Sequence, residues 1–483
     1  MPLVAGLDFG GGAVKACVAE IGTGEVVALA RRTAPAILAR GKAEFEPQTW
    51  WSMAAEAMRE AVGLAGHPAS AYAAVTATSL RQGYVLLDAD AEVGPGVLNS
   101  DRRGAAQLDR IRAVVGPDVL YATTGHWSAP QLTLPKLLEE QVADPERWAR
   151  IECLLFVHDW ALWRLSGIRV SEPSLASAGQ LLDVRRREWA RALVARVGLD
   201  PAILPPLMDA GSVVGELRDA SLGLPLGVPV VVGGGDTQLA SAGGGGLEEG
   251  SISVVAGTTT PLQASSGDIV IDPKHHPWVS AHLVPTRWAV ETNAGYTGQR
   301  LEWLARVVGS SVADLAEEAG GSIAGAHGIS AIVASRIWSE RTWSDGAPTA
   351  LVGFEPEHDR ADVAQAFIEA HAYAIRGNLE DLERAMGGPA SRVCLMGGAA
   401  RSADFVQLVA DVTGRVISLP DSDYPAGRGF AWLATRGLGE SLPPPSFEGT
   451  VIEPSEPAAY EDGYRRFIAA GDAIGSALMG WTP

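Results

Sequence analysis

Two aspartates in this sequence stand where a strand-like apolar run gives way to glycine. Asp8 lies in LVAGLDFGGGAVKACVA, directly ahead of Gly10, Gly11 and Gly12 with Lys15 beyond them, and Asp236 closes the run VPVVVGGGD. Bare glycine backbone lets an anion come close to N–H groups. A carboxylate at the mouth of such a cradle makes physical sense when the anion arrives with Mg²⁺, which the carboxylate holds, usually through water, while the glycine N–H groups meet phosphates that share the ion. The same stretch also reads as an ordinary glycine-rich turn with a solvated aspartate. Asp236 begins the small-residue segment DTQLASAG. There it is either a helix cap or a base that takes a proton from an alcohol.

Two further stretches fit phosphate and ring chemistry. The hydroxyls of Thr258 and Thr259, after Gly257 in AGTTTP, can donate to phosphate, or serve as plain turn and strand threonines. In MGGAARS the backbone at Gly397, Gly398 and Ala399 is bare enough for a flat ring to lie on it, and Ser402 can cap the helix that follows. Two common nucleotide motifs are excluded by spacing. A P-loop needs G-x-x-x-x-G-K-[ST], but Lys15 comes three residues after Gly12 and precedes Ala16. A dinucleotide fingerprint needs G-x-G-x-x-G opening a helix, and Val14 to Ile21 reads as strand.

The elements that position these residues follow from pattern. The first glycines lie in a hairpin, GTGE at Gly22 to Glu25 makes the next turn, and VVALARRT is a third strand. Apolar recurrence at Trp51, Ala54, Ala55, Met58 and Val62 predicts a helix over Pro47 to Gly66 that feeds a strand at Ala71 to Ser79. A strand over Val228 to Val232 runs into the glycines before Asp236. The second half repeats the opening theme, strand, Gly-Thr-Thr turn, strand, over Gly250 to Ser265, which implies duplication of a βββαβα unit. An amphipathic helix is expected after Ser402. With 483 residues the chain suits two domains, divided at the glycine cluster Gly243 to Gly246 into 1–246 and 247–483.

Composition narrows the partners. A formal charge of −19 disfavours nucleic acid and anionic membrane surfaces. Cys17, Cys153 and Cys394 each sit in an apolar run without a C-x-x-C, so buried thiols in a reducing compartment are expected. No basic leader and no run of 18 apolar residues is visible, and a cytoplasmic location is expected.

Taken together, Asp8 with its glycines, GGGD, GTTT and GGAARS resemble, in order and spacing, the FGGY carbohydrate kinases over essentially the whole chain. The resemblance implies an α/β fold of two ribonuclease-H-like domains, of the actin and hexokinase type, with a cleft between them for ATP, Mg²⁺ and a small sugar or polyol. It places the first phosphate loop on Asp8 to Lys15, with Asp8 toward the metal, the catalytic aspartate on Asp236, the second phosphate loop on Gly257, Thr258 and Thr259, and the adenosine loop on Gly397 to Ser402. Arg81, Gln82, Asn99, Asp101 and Gln238 are the polar residues it puts around the acceptor hydroxyls. Glycerol-type members carry Arg-Glu where this chain has Arg81-Gln82, and ketopentose members carry Met-His. SLRQGYVLLD, VLNSDRRG, VHDWALWRLSG and VVVGGGDTQLA are most similar to the autoinducer-2 kinases, with xylulose as the named alternative substrate. The family's Asp-x-Gly-Thr-[ST] is broken here by Gly11 and Gly12, so the second loop is expected to hold more of the γ-phosphate. Two other classes fit parts of the pattern: an actin-like or chaperone-like ATPase, and a sugar-binding sensor with weak catalysis. A homodimer is the assembly compatible with the resemblance.

Overall fold

A computed structural model describes residues 1–39, 41–333, 349–440 and 442–477 of the chain. The first sheet joins β1 (Leu3–Phe9), β2 (Ala13–Glu20), β3 (Val26–Thr33), β4 (Tyr72–Ser79), β5 (Val213–Glu216) and β6 (Pro229–Gly235) in the order β5-β6-β4-β1-β2-β3. β1 is antiparallel to β2 and parallel to β4, and all seven of its residues are buried. A strand covered on both faces reads as a continuous apolar run, as LVAGLDF does.

The second sheet repeats this plan. It joins β7 (Ser251–Val255), β8 (Pro261–Ser266), β9 (Trp278–Ala281), β10 (Trp288–Asn293), β11 (Arg392–Met396), β12 (Ile417–Pro420) and β13 (Gly449–Ile452) in the order β9-β10-β8-β7-β11-β12-β13. β7 is antiparallel to β8 and parallel to β11, and the outer strand β13 is antiparallel to β12 as β5 is to β6. The expected duplication is therefore present strand for strand, with β9 added at one edge. A smaller five-stranded sheet, running from Ile37–Ala39 to Cys153–Phe156, is inserted in the first half.

Five helices position the site. α1 (Pro47–Ala65) starts with Pro47 in its first turn and ends on Gly66 at φ 66°, and it buries Trp50, Trp51, Ala54, Ala55 and Met58. These pack with Phe9, Phe45 and Trp160 into one aromatic core, the Phe45 and Trp50 rings stacked at 4.1 Å. α2 (Asp236–Gly243) follows β6 directly. α3 (Arg360–Met386) lies under the second sheet, and α4 (Ala403–Thr413) follows β11.

The fifth helix, α5 (Ala426–Gly437), belongs to the second half by sequence but packs with Val4, Cys17 and Val231 of the first sheet and with Leu239 and Ala242 of α2. The crossing is close because glycines line it. A Cβ on Gly6 would fall 2.3 Å from the Phe430 ring, and one on Gly243 would fall 1.6 Å from the Pro425 carbonyl. The glycines 243–246, read from sequence as the division between the halves, are all buried, Gly243 against the start of α5. All three cysteines are free thiols and buried. Among the described residues no helix is long and apolar enough to cross a membrane.

Candidate active site

β1 carries Asp8 to the end of an interior strand of the first sheet, where the chain turns at once into β2. Gly10 N–H donates to the Ala13 carbonyl at 3.0 Å to close the hairpin, and none of Gly10, Gly11 and Gly12 has positive φ. Asp8 is 5% exposed, and its Oδ2 accepts from Lys15 Nζ at 2.8 Å and from Tyr424 Oη at 2.9 Å. Lys15 also lies 5.3 Å from the centre of the Tyr424 ring. Burial and the Asp8 charge hold the Tyr424 phenol well above its usual range, so it remains a donor.

β6 ends in glycines because the neighbouring strand leaves no space. A Cβ on Gly233 would lie 1.8 Å from the Ala77 carbonyl. The strand end is fixed by polar groups: Gly233 N–H donates to His158 Nε2 at 3.0 Å, and Thr78 Oγ1 donates to the Gly234 carbonyl at 2.7 Å. Behind Gly234 lies Glu172, whose carboxyl accepts from Ser174 and Leu175 N–H and is pushed up to about 7 by burial. Asp236 is then the first residue of α2, with Gly235 in the cap position, and its Oδ1 accepts from Thr237 N–H at 2.7 Å. Burial raises the Asp236 carboxyl, the nearby Asp8 charge adds to this, and Arg81 opposes it. A carboxylate made more basic in this way is better suited to take up a proton than one at its ordinary value.

Asp8 and Asp236 face one cleft of about 870 Å³, lined also by Gly10, Lys15, Thr78, Thr237, Gly397, Gly398, Ala400, Arg401 and Tyr424. The first loop, the α2 aspartate and the proposed ring loop thus meet at one space. Gly397, at φ 100°, runs so close to the second loop that a Cβ would fall 2.5 Å from the Ala256 carbonyl, which also accepts from Ala399 N–H at 3.1 Å. Ser402 caps α4 through Phe405 N–H at 3.3 Å. The second loop reaches the cleft only through Val255: Gly257, Thr258 and Thr259 lie outside its lining, and the hydroxyls of Thr258 and Thr259 have no hydrogen-bond partner among the described residues. Its base is anchored by Thr260, whose hydroxyl meets His371 Nε2 of α3 at 2.9 Å, and burial drops that imidazole to about 3.

The acceptor-side expectations divide. Asn99 stands beside the first loop, 3.8 Å from where a Cβ on Gly11 would lie. Gln82 adopts φ 62° and offers its carbonyl to Thr133 Oγ1 and to Lys136 Nζ, at 3.0 and 2.8 Å. Arg81 is held in an ion pair with Glu291 of β10. Two residues differ from expectation. Asp101 is fully buried and its oxygens accept from Ala43 N–H, Arg103 N–H and two Arg103 guanidinium nitrogens, so it braces the loop instead of meeting a hydroxyl. Both ends of the Gln238 amide are taken as well, donating to the Ala281 carbonyl and accepting from Leu283 N–H, each at 2.9 Å.

Sequence reasoning missed Tyr424, Lys136 and Glu291. Tyr424 sits in DSDYPAGRG, a strand end leading into a small-residue helix just as GGGDTQLASAG does, and that likeness was the available signal. Lys136 is an isolated lysine among leucines of TLPKLLEEQ. It is fully buried, drops to about 7 through burial, and ties the Gln82 and Leu98 carbonyls together.

The chemistry of the site is that of a phosphotransferase, two facing halves with an acid, a cation and bare backbone around one cleft. Sequence models of the FGGY family of carbohydrate kinases match this chain over residues 3–243 for the N-terminal domain and 252–438 for the C-terminal domain. An autoinducer-2 kinase of Yersinia pestis bv. Antiqua (strain Angola) is 28% identical over 455 residues, covering 90% of this chain and 86% of that protein. The crystal structure of a xylulose kinase from Rhodospirillum rubrum superposes with a TM-score of 0.85 at 26% identity, covering 99% of each chain. That of Plasmodium falciparum glycerol kinase with ADP gives 0.85 at 16% identity, covering 100% of this chain and 99% of the other, and shares the fold. The chain belongs to the FGGY family of carbohydrate kinases, and it is a phosphotransferase with an alcohol group as acceptor.

Proposed function

We propose that the protein transfers the γ-phosphoryl group of ATP to a hydroxyl of a small open-chain sugar, with the hydrated dihydroxypentanedione of autoinducer-2 as the first substrate to test and D-xylulose as the second. The observation that carries the transfer is the single cleft on which Asp8, Lys15, Asp236 and the Gly397–Gly398 backbone converge. Asp236 takes the proton of the attacking hydroxyl. Lys15 and the first-loop N–H groups hold the phosphoryl group on one side, and Thr258 and Thr259 on the other once the halves approach. The backbone at Gly397 and Gly398 takes the adenine ring. Mg²⁺ fits beside Asp8: Oδ2 is occupied by Lys15 and Tyr424 while Oδ1 carries no hydrogen bond from the described residues, and an ion that keeps most of its ligands as water and phosphate needs one or two protein carboxylates. When bound, that ion neutralises phosphate charge.

The choice among acceptors rests on the Arg81-Gln82 pair and on the similarity to autoinducer-2 kinases. The division of labour follows the domains, 1–246 carrying acceptor and base, 247–483 the nucleotide side. The test is ADP release against a panel of sugars and polyols. Turnover on dihydroxypentanedione faster than on any other member is expected. Rates no better than on D-xylulose would remove the autoinducer-2 assignment and keep the kinase. ADP release that no acceptor raises above background would replace the kinase by the weakly catalytic sensor.

A further inference from the structure

Among the described residues Arg81 is the cation that acts on the base Asp236, yet its guanidinium is bonded elsewhere. It follows β4, and its side chain packs on the residue before Asp236, since a Cβ on Gly235 would lie 3.2 Å from Arg81 Cγ. Its two terminal nitrogens go instead across the molecule to both oxygens of Glu291, Nη1 at 2.5 Å and Nη2 at 2.9 Å. Both side chains are shielded from solvent, 13% and 4% exposed. Glu291 lies on β10 in the second sheet, where its cross-strand neighbour Gln263 donates a further hydrogen bond to it. The pair thus joins the first half, which carries the base, to the second. A bidentate guanidinium–carboxylate pair fixes orientation as well as charge. The other titratable ring near it, His126, is held to about 4 by burial and stays neutral.

A buried guanidinium that loses its carboxylate does not remain unpaired, because the uncompensated charge is costly. Around Arg81 the other carboxylate acting on it is Asp236. We propose that Glu291 is a positioning residue for phosphoryl transfer: by holding both arms of Arg81 from the opposite half, it keeps that guanidinium off Asp236 and leaves the base free for the acceptor hydroxyl. The inference rests on the reading of Asp236 as the base. It makes the base available where the two halves are in register and masks it by Arg81 where they are not.

The test is Glu291→Gln, alone and with Arg81→Gln, in the full-length protein. An Arg81–Asp236 pair lowers the basicity of the carboxylate by one unit or more, so kcat of Glu291→Gln is expected to fall on the order of tenfold or further with little change in KM for ATP. Arg81 also stands toward the acceptor, so Arg81→Gln alone is the reference: in that background Glu291→Gln should cost less than about threefold in kcat, because the masking cation is already gone. Removing both partners of a buried pair also relieves a merely structural contact, so the pH profile is read beside it: the acid limb of kcat moves to lower pH in Glu291→Gln, as a carboxylate paired with Arg81 requires, and does not move when Glu291→Gln is added to Arg81→Gln. Glu291→Gln with unchanged kcat and acid limb, or a further tenfold loss on adding it to Arg81→Gln, overturns the proposal. If Glu291→Gln is recovered unfolded, Glu291→Asp, which keeps the charge on a side chain one methylene shorter, takes its place with the same acid-limb shift expected, and an unmoved acid limb overturns the proposal. Asp236→Asn is measured beside them. Normal turnover there removes the base reading itself, whatever the Glu291 variants show.

Discussion

The two sheets have the same strand plan and end in different chemistry. Aligning Gly10 of the first hairpin on Gly257 of the second sets Asp8 against Val255, and Gly11 and Gly12 against Thr258 and Thr259. Each loop closes on its first glycine N–H, but over different spans: Gly10 donates to the Ala13 carbonyl three residues on, at 3.0 Å, and Gly257 to the Thr259 carbonyl two residues on, at 3.1 Å. One copy has the acid without hydroxyls, and the other has hydroxyls without the acid. The following strands diverge in the same sense. β4 ends in Arg81, β11 in bare glycine; β6 leads to Asp236 at the start of α2, β12 to Tyr424 just ahead of α5. The duplicated scaffold thus carries the two carboxylates on one copy and the hydroxyls and bare backbone on the other, which is the division of labour proposed above. Tyr424 crosses between them to hold Asp8.

The comparison breaks most visibly if the acid side is not where the chemistry lies. Asp236→Asn is expected to lower kcat by roughly 10²- to 10⁴-fold while nucleotide binding, followed by calorimetry, and the melting temperature stay close to normal. Next in size is the hydroxyl side. Thr258→Ala should lower kcat/KM for ATP about tenfold or more, since one hydrogen bond to a charged group contributes roughly 1.5–3 kcal/mol. Unchanged ATP kinetics in that variant would mean the second loop does not share the phosphate. The bare-backbone side is probed by Gly397→Ala, which meets both a positive φ and the Ala256 carbonyl. A weaker affinity for ADP and a lower melting temperature are expected, with strain on the order of 1–2 kcal/mol before the clash is counted. The smallest effect sharpens the comparison. Gly11→Thr restores a hydroxyl to the first loop at non-positive φ, with ordinary contact to Asn99, and should leave kcat/KM for ATP unchanged or raise it slightly. A large loss there would show that the first loop needs its backbone bare.

What could be read from the sequence was local. The hairpin at Gly10, the helix from Pro47, the strand that spends itself in Gly233 to Gly235, and the cap at Ser402 each announce themselves within a few residues. The duplication was legible too, because loop and strand recur in order. The commitments of individual side chains were not. Asp101 looked free for a hydroxyl because its partner Ala43 lies 58 positions away, and Gln238 because the Ala281 carbonyl lies 43 away. Arg81 and Glu291 are 210 positions apart, and Tyr424 is 416 from Asp8. Polar residues next to a strand end look alike in sequence whether they face a ligand or another strand, and only the packing of the halves distinguishes them.

The crossing of α5 onto the first sheet has a consequence for how the chain is made. As a ribosome releases residues 1–246, the first sheet and α2 are complete in sequence, yet the surface over Gly6, Val231 and Leu239 is without its cover. That cover, Phe430 to Ala434, is nearly two hundred residues downstream, and at ordinary elongation rates of about 5–20 residues per second it follows roughly ten to forty seconds later. During that interval the nascent first half carries an open apolar face that the finished protein never shows. A fragment ending at residue 246 would keep that face permanently and associate through it, whereas the second half closes the first as it folds.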